Sequence, residues 1–211
     1  MYGVIFDLDG TLLDTQRIYV DAWDYAGHLQ GYENCGDHVK YLLGANEEKW
    51  CRYVSDNFPG TDSLKFRDDV VDYIKKNIKV RFKDGAKEFV EYLRQNNIPY
   101  AIGSGGNMEY IVNYLKILNV LDWFPHIVSG DLVENSKPAP DTFLLAAQKI
   151  GVEPQNCIVF EDSDNGVLAA KNAGMRCIGI PDIAPFNDYI KSLLYKELTS
   201  MDEAIEIFEK F

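Results

Sequence analysis

Apolar residues follow two rhythms along this chain. Five short stretches are apolar almost without a break, the first four ending in a polar residue: Val4 to Asp7, Tyr100 to Ser104, His126 to Ser129, Cys157 to Glu161 and Cys177 to Ile180. Continuous runs of this length predict strands buried on both faces, as in a parallel sheet. Elsewhere the spacing changes to three and four residues. Ala86, Phe89, Val90 and Leu93 form one helical stripe and Ile111, Leu115 and Leu118 a second. Phe143, Ala146, Ala147 and Ile150 form a third before Gly151, and Val167, Ala170 and Ala173 a fourth before Gly174. Ser200 to Glu203 reads as a capping box opening a last helix that carries Ala204, Ile205, Ile207 and Phe208. Strands alternating with helices predict an α/β fold, a parallel sheet covered on both faces.

Between Thr15 and Lys83 the pattern is different. No strand-like run occurs there, while Ile18, Ala22, Ala26 and Leu29 keep helical spacing. We expect a helical insertion over residues 15–83, leaving the sheet after the first strand and returning near Asp84 and Gly85, so that residues 1–14 and 84–211 make the core. The alternative is a set of helices laid directly on the main core.

The formal net charge of −12, with no basic stripe interleaved with aromatics, disfavours nucleic acid and anionic membranes as partners. No stretch is long and apolar enough to span a bilayer. Asp7 and Asp9 stand where the apolar centre of a secretory signal would lie, so a cytoplasmic protein is expected. Cys35, Cys51, Cys157 and Cys177 are far apart and form no CxxC pair, which signals neither a zinc site nor a disulfide framework. The negative charge does not exclude a small anionic substrate, because salt screens it beyond about 8 Å. Nothing in the pattern sets an oligomeric state.

The ends of the predicted strands carry the unusual residues. In "GVIFDLDGTLLDT" an apolar run meets Asp7 and Asp9, one residue apart. Two carboxylates at about 4 Å repel by about 4 kcal/mol at an effective dielectric of 20, so a positive partner is expected. Ser104, Gly105 and Gly106 follow the second strand, Lys137 lies beyond the third, and Glu161 and Asp162 close the fourth. Singly these read as turn chemistry, a solvated lysine and a helix cap. Together, beyond the carboxyl ends of parallel strands, they make a set of acidic groups, one lysine and backbone donors able to converge. Phosphoryl transfer needs such a set. Asp7 is the candidate nucleophile, and Asp9 the acid/base that protonates the leaving oxygen and then deprotonates water. Ser104, Lys137 and amides near Gly105 and Gly10 would hold the phosphoryl oxygens. A magnesium ion on Asp7, the Asp9 carbonyl, Asp162 and, through water, Glu161 would offset the charge.

These motifs resemble the haloacid dehalogenase superfamily, and within it the phosphatases and mutases related to beta-phosphoglucomutase. "FDLDGTLLDT", "AIGSGGN", "ENSKPAPDTF" and "IVFEDSDNGVLAAKNAGM" are similar to its four motifs, in order, over nearly the whole chain. The resemblance implies a Rossmann-like, doubly wound core, a helical cap inserted after the first motif, magnesium dependence and an aspartyl-phosphate intermediate. It carries the nucleophile onto Asp7, the acid/base onto Asp9, phosphate binding onto Ser104 and Lys137, and metal binding onto Asp7, Asp9, Glu161 and Asp162.

Two positions depart from the mutases of that group. Tyr19 stands where those enzymes carry a histidine that restrains the acid/base aspartate, and Glu47 stands in the stretch where they carry an arginine for a second phosphate. Both departures favour a phosphatase acting on a small phosphorylated metabolite, a sugar phosphate foremost, over a sugar phosphomutase. A haloacid dehalogenase would not need the acidic pair at Glu161 and Asp162, and a receiver-type or other non-catalytic phosphate-binding module would not carry the inserted helices.

Overall fold

A computed structural model of the chain describes residues 2–42 and 47–209. The chain divides into two compact units, Met1–Asp14 with Val80–Phe211, and Thr15–Lys79. Residues just after Lys79 belong with the first unit because they pair with the turn that follows the first strand. Asp14 N–H donates to the Arg81 carbonyl, Lys83 N–H donates to the Leu12 carbonyl, and Leu13 bridges Phe82.

The first unit begins with β1 (Gly3–Phe6), and the second supplies α1 (Arg17–Leu29), α2 (Glu47–Asn57) and α3 (Ser63–Asn77). The first unit resumes with α4 (Ala86–Gln95), β2 (Tyr100–Gly103), α5 (Met108–Ile117), β3 (Ile127–Val128), α6 (Asp141–Ile150), β4 (Cys157–Glu161), α7 (Asp164–Asn172), β5 (Arg176–Gly179), α8 (Asp188–Lys191), β6 (Lys196–Glu197) and α9 (Asp202–Phe208). The six strands form one parallel sheet in the order β3-β2-β1-β4-β5-β6.

Every residue of β1, β2 and β4 is buried, which is why these strands read as unbroken apolar runs. In register, Phe6 faces Phe160 and Ile5 faces Val159, and the pleat sends the two pairs to opposite sides. On one side Phe6 and Phe160 stack at 5.5 Å, with Phe89 of α4 edge-on to Phe6 at 5.8 Å and Phe208 of α9 against Phe89 at 5.1 Å. On the other, Ile5 and Val159 pack with Phe143, Ala146 and Ala147 of α6 and Val167 and Ala170 of α7. Burying each of these large side chains stabilises the unit by about 1.5–3 kcal/mol.

The strand pattern missed β6. Its two residues are polar and exposed, as suits a short edge strand that has only one neighbour and a solvated side. The expected capping box is offset by one residue. Ser200 Oγ accepts from Asp202 N–H, and Glu203 Oε1 accepts from the N–H and the hydroxyl of Thr199.

In the second unit α1 buries Ala22, Trp23 and Ala26, whereas Leu29 at the end of its predicted stripe is exposed. Trp23 meets Phe66 at 5.0 Å and Trp50 at 5.8 Å, so it is a core residue of this unit, while Tyr41 is exposed.

Candidate active site

The strands all run parallel, but the order in which the chain adds them reverses between β1 and β4, and the chain leaves their carboxyl ends toward opposite edges. That splitting opens a crevice in open α/β sheets. Phe6 and Phe160 are the last paired residues of β1 and β4, so Asp7 and Glu161 follow side by side, with Asp7 N–H donating to the Phe160 carbonyl at 2.9 Å.

Lys137 comes from the segment between β3 and α6, and its ammonium contacts Asp7 Oδ1 and, at 2.8 Å, Glu161 Oε1. The ammonium also lies 4.5 Å from the centre of the Phe143 ring, a cation–π contact. Its loop is tied down on both sides. Asn135 donates twice to Asp141 Oδ2, and Asn172 of α7 donates to the Pro138 carbonyl at 2.9 Å.

The other oxygen of Glu161, Oε2, accepts from Asp162 N–H at 2.8 Å, Ser163 N–H at 2.7 Å and the Ser163 hydroxyl at 2.9 Å. It therefore sits at the positive end of α7, whose N-cap is Ser163. Gly166 is required by this approach: a Cβ there would lie 1.7 Å from Glu161 Oε1. Asp162 is held differently, its Oδ1 accepting from the Thr11 hydroxyl at 2.9 Å.

Ser104 continues β2, and its N–H donates to the Val128 carbonyl. Its buried hydroxyl oxygen accepts from Gly106 N–H at 3.0 Å, which leaves its own proton to donate. Gly105 is exposed with open space beside its Cα. Gly10 differs from expectation: its N–H is donated to the Leu13 carbonyl at 2.8 Å and so is not a donor for a ligand in this arrangement. Asp9 is partly exposed, and its Oδ1 accepts from the Tyr110 hydroxyl at 2.7 Å.

The electrostatics are unbalanced. Asp7, Glu161 and Asp162 are buried carboxylates, and Lys137 is the cation in contact with two of them. Burial pushes Asp7 up to about 7 against the pull of Lys137, with Glu161 and Asp9 adding to the rise. Asp162 is raised well above the usual carboxylate range by burial and then by Glu161 and Asp7, with the Thr11 hydrogen bond opposing. For Lys137, burial works against the charge but Asp7 and Glu161 overcome it and hold the ammonium protonated. Among the described residues, no three or more His, Cys, Asp or Glu side chains are gathered into a ready-made metal cage. The position between Asp7 and Glu161 is taken by the lysine.

Asp7, Ser104, Lys137, Glu161 and Asp162 are thus all at the carboxyl end of the sheet, with Asp9 two residues beyond Asp7. Thr11, Ser163 and Tyr110 were given no role by the sequence, although Thr11 and Ser163 lie inside the quoted motifs. Cys177 is buried beside this set, and burial and Glu161 hold its thiol well above the ordinary value, so it is an inert core residue. His28 and His38 pair locally with Glu33 and Tyr53. The side chain of Glu47 lies outside the described residues. Tyr19 packs its ring edge-on to Trp50 at 5.8 Å.

Comparison with known proteins bears on this arrangement. The family model for haloacid dehalogenase-like hydrolases matches residues 1–174. A phosphorylated carbohydrates phosphatase of Thermotoga maritima is 31% identical over 181 residues, covering 84% of each chain. A fructose-1-phosphate phosphatase of Escherichia coli is 30% identical, covering 84% of this chain and 95% of its own. The crystal structure of a HAD family hydrolase from Deinococcus radiodurans with bound phosphate and sodium superposes with a TM-score of 0.85 at 25% identity, covering 100% of this chain and 96% of that one.

Proposed function

The chain belongs to the haloacid dehalogenase-like hydrolases, and from that premise we propose a magnesium-dependent cytoplasmic phosphatase that hydrolyses small phosphorylated metabolites, a sugar phosphate foremost, by way of a phosphorylated Asp7. The first unit serves as its catalytic core and the second as its helical cap, the boundary lying after Lys79 instead of after Lys83 as the sequence suggests. The observation that carries the reading is the Lys137 ammonium, brought from 130 residues away onto the Asp7 carboxylate. A buried carboxylate held by a cation, next to donors for phosphate oxygens, is the arrangement an attacking carboxylate needs.

In the first step an Asp7 oxygen attacks phosphorus, the bond from phosphorus to the ester oxygen breaks, and that oxygen leaves with the proton of Asp9. Lys137, the Ser104 hydroxyl and the Gly105 amide donate to the phosphoryl oxygens. In the second, Asp9 takes a proton from water as the water oxygen attacks the same phosphorus, releasing inorganic phosphate and restoring Asp7. The phosphatase relatives that act on phosphorylated carbohydrates and fructose 1-phosphate support the sugar phosphate class.

The residues fit a hard dication. Their donors are carboxylate and carbonyl oxygens, and the burial and neighbouring carboxylates that raise Asp7 and Asp162 are offset by a bound cation. Magnesium keeps several waters and uses one or two carboxylates with the substrate phosphate, so it does not require an all-protein cage. Asp7, the Asp9 carbonyl and Asp162 would hold it, with Glu161 adjoining through water. When bound, the ion neutralises charge between the Asp7 carboxylate and the phosphoryl oxygens.

The test is phosphate release from a panel of sugar phosphates, with magnesium or with chelator, for the wild type and Asp7→Asn. Release that needs magnesium and is lost in the variant supports the reading. Full release under chelation or from Asp7→Asn overturns it, and transfer to a sugar without phosphate release assigns a mutase instead.

A further inference from the structure

Asp9 has a partner inside the first unit that no motif announces. The Tyr110 hydroxyl donates to Asp9 Oδ1 at 2.7 Å, across 101 residues of sequence. The hydroxyl is aimed there by three local constraints. Tyr110 sits in the first turn of α5, where its N–H donates to the capping Asn107 side chain at 2.8 Å. Its ring lies against the ring of Tyr114, centroids 4.2 Å apart. The ring also passes Gly106 so closely that a Cβ there would lie 3.2 Å from it. The ring thus has little rotational freedom, and its oxygen fixes which way the Asp9 carboxylate points.

We infer that Tyr110 is the positioning residue for Asp9, holding the acid/base carboxylate oriented within the first unit before any substrate arrives. The inference rests on the reading of Asp9 as acid/base and extends it. A restraint supplied by a neighbouring strand-end helix needs no contribution from residue 19, where this chain carries tyrosine. In the first step the proton travels from the Asp9 carboxyl so held to the ester oxygen.

A positioning role has a signature that loss of structure lacks. A sugar or alkyl oxygen is a strong base and leaves only with a proton, whereas a nitrophenolate leaves without one. Misplacing the acid therefore slows the first substrate class and spares the second. The experiment compares kcat/KM, which reports the first irreversible step, for glycerol phosphate and p-nitrophenyl phosphate in the magnesium-loaded enzyme. The variants are Tyr110→Phe, which keeps the ring and its packing, and Asp9→Asn. Loss of a hydrogen bond to a charged group predicts about a 10- to 100-fold fall for glycerol phosphate in Tyr110→Phe. For p-nitrophenyl phosphate the fall should stay within about 3-fold, well under the 100-fold or more expected of a lost general acid. Asp9→Asn should show the same selectivity, more strongly. Equal falls on both substrates in Tyr110→Phe, or none, alongside a selective Asp9→Asn, overturn the inference alone. An unselective Asp9→Asn overturns the acid/base reading and this inference with it.

Discussion

Replacing Lys137 by methionine removes the ammonium together with its contact to the Phe143 ring and keeps an unbranched apolar stem, so shape changes little. What remains is Asp7 beside Glu161, their side chains 12% and 1% exposed, without the cation that lies on both. Removing one partner of a buried ion pair costs about 3–5 kcal/mol, because the remaining charge stays buried and unpaired. The cost should depend on pH. Asp7 already lies at about 7 with Lys137 pulling it down, so without the lysine it rises further and carries a proton at neutrality. A carboxylate raised in the folded state loses stability as pH climbs from its unfolded value, near 3.8, toward its folded one. The variant should therefore be destabilised more at pH 8 than at pH 5.5. Urea unfolding followed by tryptophan fluorescence, in chelator at the two pH values, reads the difference, and phosphate release should fall about 10²- to 10³-fold, as for loss of a preorganised electrostatic partner. A stability within about 0.5 kcal/mol of wild type at both pH values is the behaviour of a surface lysine and would refute the reasoning.

Thr11→Val should cost about 1–3 kcal/mol, since Asp162 loses its buried hydroxyl donor with no change in shape; an unchanged urea midpoint counts against that contact. Gly166→Ala puts a methyl group into the Glu161 carboxylate and should destabilise by about 1–3 kcal/mol or more while lowering activity, read by thermal unfolding and phosphate release. In chelator, the stability difference between Asp7→Asn and wild type should shift in favour of the variant as pH rises from about 5 to about 8, because the raised carboxyl at position 7 is present in the wild type alone. Saturating magnesium at about 100 times its Kd should raise the wild-type Tm by roughly 5–10 °C, from about 2.7 kcal/mol of binding and 2–4 °C per kcal/mol, and should do so less in Asp7→Asn.

The parts of the fold that announced themselves were those whose burial is uniform. β1, β2 and β4 are enclosed on both faces, so every residue but Glu161, which closes β4, is apolar and the run cannot be mistaken. Lys196 and Glu197 form a strand through backbone pairing alone at a solvated edge, and side-chain pattern has nothing to record there. The site divides in the same way. Asp7, Glu161 and Asp162 stand out because a charge at the end of an apolar run is unusual by itself, whereas Lys137 follows a polar stretch and gains meaning only beside them. Thr11, Ser163 and Tyr110 are ordinary residue types, and what sets them apart is a distance, such as the 2.9 Å across 151 residues from Thr11 to Asp162. Gly10 is the reverse case: its place in the motif suggests an amide open to a ligand, but the turn that follows takes that donor for Leu13.

The most direct test of the account is to quench the magnesium-loaded enzyme in acid during turnover of a sugar phosphate, digest it and weigh the peptides. The account predicts the added mass of one phosphoryl group on the peptide carrying Asp7, lost on mild alkaline treatment and missing from Asp7→Asn. Turnover at full rate with no phosphorylated peptide, or with the group on another side chain, would contradict it.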